Sequence, residues 1–176
     1  MEKKKIWYVC YGSNLLLERF EHYIKGGTCR YNNKEYKGCE DKTMPEKSAP
    51  CEIPYDMYYG KDSLSWGGSV SFLDDSKAGK AYGRAYLVTE EQFEKIWEQE
   101  GKKSLYSKKI SLEPIDGIEA YTFTHKEKLG YSRKPSLEYL FVLAMGLKET
   151  YPDMSNLEIL DYLKKTIACS APSPRL

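Results

Sequence analysis

Ile6-Trp7-Tyr8-Val9-Cys10-Tyr11 runs directly into Gly12-Ser13-Asn14 and then Leu15-Leu16-Leu17-Glu18-Arg19-Phe20. The first six residues are β-branched, aromatic or small and apolar, without the polar alternation of a half-exposed strand. They predict a strand buried on both faces. Gly12-Ser13-Asn14 stops it, and the leucines with Phe20 predict a helix capped by Ser13 or Asn14, with Glu18 in its first turn. A strand, tight turn and helix start in succession aim free backbone N–H groups at one point. Such a junction suits an anion or a developing oxyanion.

Outward from this junction the chain reads as β-rich. Ser65–Phe72 with its Gly67-Gly68 pair, Lys80–Val88, Tyr106–Leu112 and Ile118–Thr124 predict four further strands, the last two joined through Pro114–Gly117. A helix is inserted between them, capped by Thr89 with Gln92 as capping-box partner and ended by Gly101. Its apolar face is Phe93, Ile96 and Trp97. Two helices close the chain. Pro135-Ser136 opens the first, whose Tyr139–Met145 run predicts burial against the sheet. Ser155 and Glu158 box the second, which presents Leu157, Leu160, Leu163 and Ile167 to the core. The tail Ala171–Leu176 is expected to fray. Gly26–Leu64, with Pro45, Pro50 and Pro54 among polar residues, reads as extended segments and a long surface excursion over a pocket. The fold class is α+β: a small mixed or antiparallel, barrel-like sheet flanked by helices. Residues 1–176 are expected to form a single domain.

Composition narrows the function. The chain has 27 basic and 26 acidic residues among 176, a balance that gives no electrostatic reason to expect nucleic acid or an anionic membrane as partner. Hydrophobic residues at 41% and charged ones at 30% match a globular chain and exclude a disordered one. The longest mostly apolar run, Tyr139–Leu147, is far short of the ~20 residues that span a bilayer. No small-residue cleavage site follows the basic start, so the expected location is cytoplasmic. Five cysteines without a C-x-x-C pair fit reduced thiols, and two histidines argue against a zinc site, so no metal is expected.

Glu100 stands out from its helix. It lies seven positions after Phe93, hence on the same apolar face, and in the last turn before Gly101. Burial and the negative end of the helix dipole both disfavour its charge, raising its pKa toward a range useful for proton transfer. The other reading is an exposed end-of-helix glutamate. Arg84, flanked by Tyr82 and Tyr86, reads as a solvated charge rather than a ligand for a carboxylate.

Tyr11-Gly12-Ser13-Asn14-Leu15 at the end of the first strand, with Glu98-Gln99-Glu100-Gly101, resembles the γ-glutamylcyclotransferase-like family. Tyr106, which opens a strand, and Pro135-Ser136-Leu137-Glu138-Tyr139 leading to Met145-Gly146 match further parts of its pattern, in the same order. The resemblance implies that fold and the release of 5-oxoproline and a free amine from a γ-glutamyl amide. In that reaction the substrate's own α-amine attacks its γ-carbonyl. Glu100 would be the general acid and base, and Tyr11, Gly12, Ser13, Asn14, Leu15, Tyr106 and Tyr139 would bind a small γ-glutamyl substrate, with no cofactor. Cys10 stands where many members have alanine, and Gly26–Leu64 does not match well, so the leaving amine is left open. Oligomeric state, monomer or homodimer, is open too. The competing expectation is a non-catalytic small-molecule binding or regulatory domain on the same scaffold. A cysteine-dependent acyl transferase through Cys10 is a distant third.

Overall fold

A computed structural model describes residues 1–174. In chain order it contains β1 (Lys5–Cys10), a 3-10 turn (Ser13–Leu15), α1 (Leu17–Lys25), β2 (Gly27–Thr28), β3 (Glu35–Tyr36), β4 (Ser48–Ile53), β5 (Asp56–Ser63), β6 (Gly68–Asp74), β7 (Ala81–Thr89), α2 (Glu90–Glu100), β8 (Lys108–Ile115), β9 (Ile118–Thr124), α3 (Leu137–Thr150) and α4 (Asn156–Ala168).

The main sheet has the order β4-β7-β1-β9-β8. Neighbours are antiparallel except β1 and β9, which run parallel. β1 therefore occupies the centre, and this is why its sequence is apolar throughout: a central strand covered on both faces has no position for a polar side chain. β5 and β6 pair as a separate hairpin. That hairpin is tied to β9 through Thr124, whose Oγ1 accepts from the Leu73 amide at 2.9 Å and donates to the Leu73 carbonyl at 3.1 Å. The result is the mixed sheet flanked by helices that the pattern predicts.

Both predicted capping boxes form. Thr89 Oγ1 accepts from Gln92 N while Gln92 Oε1 accepts from Thr89 N, each at 3.1 Å, and Gly101 ends α2 in the left-handed conformation. Ser155 and Glu158 do the same for α4.

Three expectations need correction. On α4 the buried face is Ile159, Tyr162, Leu163 and Thr166, whereas Leu157 is 66% exposed and Leu160 also faces outward. Tyr162 packs edge-on against Tyr82, and Thr166 donates to the Tyr59 hydroxyl at 3.0 Å, which turns the helix to this phase. α3 is not buried all round either: Phe141 is 63% exposed, because the helix packs mainly against the 3-10 turn and α4. Finally, Ala171–Ser173 is held by Tyr131, which donates to Ala171 O at 3.2 Å and accepts from Ser173 N at 2.8 Å. Residues 175 and 176 of the expected frayed tail lie outside the described residues.

Gly26–Leu64 is more regular than its prolines suggest. β4 is an edge strand with Pro50 opposite Arg84, a place where a missing N–H costs the ladder little. Part of the segment, including Lys34, Tyr36 and Ser63, lines a cavity that adjoins the candidate site described next.

Candidate active site

The chain leaves β1 through Tyr11 and Gly12 and enters the 3-10 turn. A side chain at residue 12 would place its Cβ 2.2 Å from Ser71 Oγ and 3.0 Å from the Tyr139 hydroxyl, so only glycine fits against β6 and α3. Gly146 plays the matching part on α3: a Cβ there would come within 2.6 Å of Leu15 Cβ and Leu16 N. The two glycines let helix, hairpin and turn converge on one spot.

The turn differs in detail from the expected helix cap. Leu16 is the N-cap of α1, without a side-chain cap, and the Leu17 amide is taken at 2.9 Å by Glu149 Oε1. Ser13 and Asn14 instead sit inside the 3-10 turn. Its own bonds use the Leu15 amide, to Gly12 O at 3.0 Å, and the Leu16 amide, to Ser13 O at 3.2 Å. The Gly12, Ser13 and Asn14 amides stay outside these bonds, so the cradle of donors is the turn rather than the helix N-terminus.

Arg84 fastens this turn from behind. It is buried, donating to Leu15 O at 3.0 Å and to Glu149 Oε1, with Ser48 Oγ at 3.2 Å. Its reading as a solvated charge is therefore corrected. Tyr86 adds a bond from its hydroxyl to Asn14 O at 2.8 Å.

Glu100 meets the turn at Asn14. Asn14 is 3% exposed, and its Nδ2 donates to Glu100 Oε1 at 3.0 Å and to the Tyr8 hydroxyl at 3.1 Å. The Tyr8 hydroxyl itself donates to the same carboxylate oxygen at 3.3 Å. Glu100 is half-buried, and the protein packed around its carboxylate raises its pKa above the ordinary glutamate value. The Arg19 guanidinium pulls the other way, as do the Tyr23 and Tyr8 hydroxyls, without cancelling the effect of burial.

One cavity collects these groups. Tyr11, Gly12, Ser13, Asn14, Glu100, Tyr106 and Tyr139 all line it. Tyr11 is fixed by donating to Phe123 O at 2.6 Å, Tyr106 by donating to Ser71 O at 2.8 Å, and Tyr139 by its 2.7 Å contact with Ser71 Oγ. Leu15 is the exception: it is fully buried in the core, its amide is spent within the turn, and it does not line the cavity. Tyr8, Ser71 and Thr122 line the site as well, though sequence reasoning did not select them. A signal existed for Ser71: Ser69 and Ser71 alternate in a strand buried along its whole length, where a serine needs a reason. Cys10 also lines the cavity, but burial pushes its thiol far above the normal range, which removes the thiolate an acyl transferase would need.

The arrangement offers one carboxylate with a raised pKa, a turn of unspent amides beside it and fixed hydroxyls around both. Asn14 Oδ1 and Thr122 Oγ1 are buried without a partner, so the site has acceptor capacity left for a ligand's N–H groups. Among the described residues no cluster of His, Cys, Asp and Glu is suited to hold a metal ion, and no helix is long and apolar enough to cross a membrane.

Comparison with known proteins places this geometry in a fold. No protein-family profile matches the chain. Among curated proteins it is similar to Histone deacetylase 5 of Arabidopsis thaliana, 31% identical over 104 residues. That match takes in 57% of this chain and only 16% of the length of the relative. Among solved structures it is similar to an uncharacterized protein from Homo sapiens, at 21% identity and a TM-score of 0.61, over 99% of this chain and 92% of that one. It is equally similar to a gamma-glutamyl cyclotransferase, at 21% identity and TM-score 0.61, over 98% and 91% of the two chains. YkqA from Bacillus subtilis follows at 18% identity and TM-score 0.58, over 97% of this chain but 57% of that one. The chain thus has the gamma-glutamyl cyclotransferase fold.

Proposed function

We propose that this protein is a cyclotransferase that releases 5-oxoproline and a free amine from a γ-glutamyl amide. One observation carries the reading. A carboxylate whose pKa is raised by burial is held 3.0 Å from Asn14, inside the same turn that supplies the unspent amides.

The chemistry needs little more. The α-nitrogen of the glutamyl group attacks its own γ-carbonyl carbon, a ring C–N bond forms, and the C–N bond to the departing amine breaks. Holding the two ends in attack geometry can replace roughly 7–11 kcal/mol of barrier. Two protons leave the α-ammonium nitrogen and two arrive on the departing nitrogen, with Glu100 as base and then acid for each transfer. A glutamate with an ordinary pKa would be a poor acid in the second role; raising the pKa brings donor and acceptor strengths closer. The Gly12–Asn14 amides are suited to the carbonyl oxygen as it gains charge, and the free Asn14 Oδ1 to the α-ammonium.

The test is an assay of 5-oxoproline release from the purified protein over a panel of γ-glutamyl amino acids, γ-glutamyl polyamines and ε-(γ-glutamyl)lysine. Turnover of at least one member is expected. Binding without turnover across the panel would instead favour a non-catalytic binding domain on this scaffold.

A further inference from the structure

The two faces of α3 differ in what they meet. The inner face carries Tyr139 to the active site and seats Gly146 against the 3-10 turn. The outer face is open, yet much of it is apolar. Leu137 is 81% exposed and Phe141 63%, while Leu140, Ala144 and Met145 are only partly covered. Residues 137, 141, 144 and 145 fall at i, i+4, i+7 and i+8, which makes them one stripe along the helix. A single exposed apolar residue is ordinary on a protein surface. Two large ones on successive turns, continued by half-covered neighbours, mark a contact surface.

The charges on this face select what fits it. Glu138 stands at the start of the stripe and Lys148 at its end, and both are exposed. Among the described residues neither belongs to an ion pair. Lys148 Nζ donates to Met154 O at 2.7 Å, which uses one of its three donors. Read along the helix, the face presents acid, aromatic ring, thioether and base at Glu138, Phe141, Met145 and Lys148. The spacing is unchanged when the helix is turned end for end. A second α3 laid antiparallel, with a two-fold axis at Leu143, therefore sets Glu138 of each copy opposite Lys148 of the other. The same register sets each Phe141 ring opposite a Met145 thioether, a favourable sulfur–aromatic pairing. Ala144, beside the axis, is small enough to let the two helices approach. A contact across a two-fold axis has to be self-complementary, and this face is so in charge and in apolar pairing at once.

We propose that the outer face of α3 binds a second copy of this chain, the two α3 helices pairing antiparallel about Leu143. The inference does not depend on the reaction assigned to the active site. Size sets the strength of the contact. α3 has 14 residues, a length of about 21 Å. Stable protein interfaces bury about 1,200–2,000 Å², and one pair of helices of this length falls at or below the low end. The dimer is therefore reversible, with a micromolar rather than a nanomolar dissociation constant. Tyr139 is buried on the opposite side of the same helix, so the contact is made away from the residue that α3 lends to the active site.

The experiment is sedimentation velocity over a concentration series reaching the high micromolar range, with the wild type, Phe141→Ser, Glu138→Lys and Lys148→Glu. All three positions are exposed, and a thermal melt checks that each variant is folded. The wild type is expected to show a monomer–dimer equilibrium. Phe141→Ser should weaken it by about 100-fold or more, since each dimer loses two buried rings. Glu138→Lys sets lysine against lysine twice, and Lys148→Glu sets glutamate against glutamate twice. Each variant alone should associate roughly 10-fold more weakly. An equimolar mixture of the two should regain the wild-type affinity, because the mixed dimer restores both opposite-charge contacts. If Glu138→Lys does not fold, Lys148→Glu is compared with Lys148→Gln, and repulsion should weaken the dimer more than neutralisation does. A wild type that stays monomeric throughout the series overturns the proposal. So does a dimer indifferent to Phe141→Ser, or charge variants that mixing does not rescue, since the two copies would then meet elsewhere or in another register.

Discussion

Replacing Glu100 with glutamine removes a proton carrier and changes little else. The two side chains are the same size, and a glutamine oxygen can still accept from Asn14 at 3.0 Å and Tyr8 at 3.3 Å. Loss of general acid–base catalysis should lower kcat/KM by about 10²- to 10⁴-fold, or about 3–5 kcal/mol of transition-state stabilisation. Stability should move the opposite way. Burial raises the Glu100 pKa above its unfolded value, so between those two values the folded state holds a proton that the unfolded state has lost. Stability therefore falls as pH rises through that window, and the penalty is fully in force above the folded-state pKa. The pull of Arg19 is already contained in the net upward shift, so removing the charge at Glu100 is favourable on balance. Glutamine carries no such penalty. At pH 7 the variant should melt at or above the wild-type temperature, and the difference should shrink as pH falls toward and below the ordinary glutamate pKa of about 4.3. Thermal melts at pH 4 and 7, alongside 5-oxoproline release measured by mass spectrometry, test both halves. A variant that keeps more than a tenth of wild-type kcat/KM, or one that melts well below wild type at pH 7, would refute the reasoning.

Gly12→Ala should destabilise the fold, since its Cβ falls 2.2 Å from Ser71 Oγ; adding Ser71→Ala should recover part of the loss, because the remaining Ser71 Cβ would lie 3.5 Å away. A double-mutant cycle by chemical denaturation should give a coupling of about 0.5–3 kcal/mol, and additive losses would exclude this contact as the cause. Arg84→Met strips the clamp from Leu15 O and Glu149. A loss of about 1–3 kcal/mol is expected, seen by calorimetry as a fall of about 2–4 °C in Tm per kcal/mol, together with reduced kcat as the turn loosens. The acid limb of the kcat/KM profile should lie above the ordinary glutamate pKa of about 4.3. Arg19→Met should move that limb further up, because the guanidinium holds the carboxyl down. A limb that stays put would show that Glu100 is not the titrating group.

What could be read from the sequence was what neighbouring residues decide between themselves. The Thr89–Gln92 and Ser155–Glu158 boxes are local bargains between side chain and backbone, and both form. The phase of Glu100 was legible because Phe93 and Ile96 fix the buried stripe of α2 and Gly101 fixes its end. α4 was not, because Leu157, Ile159, Leu160, Tyr162 and Leu163 offer two nearly equivalent apolar faces. The aromatic rings that choose between them come from β5 and β7, far away in the chain. β4 was hidden by Pro50, which reads as a loop signal but is tolerated on the sheet edge.

The same division explains the site. Tyr11–Asn14 are consecutive, so their convergence follows from one turn, and Glu100 needs only the length of its own helix to reach them. Arg19 is different in kind. Between Glu18 and Phe20 it looks like one more charge on a helix surface, and nothing local marks it as buried. Its burial is produced by Tyr36 of β3 and Trp66 of the β5–β6 turn closing over α1, two segments distant from it in the chain. The turn and Glu100 thus come from two short local stretches, while the adjoining chamber is assembled from α1, β3 and the hairpin turn. Substitution at Tyr36 or Trp66 would reshape that chamber without changing a residue of the turn, whereas Arg19 also acts on Glu100 through its charge.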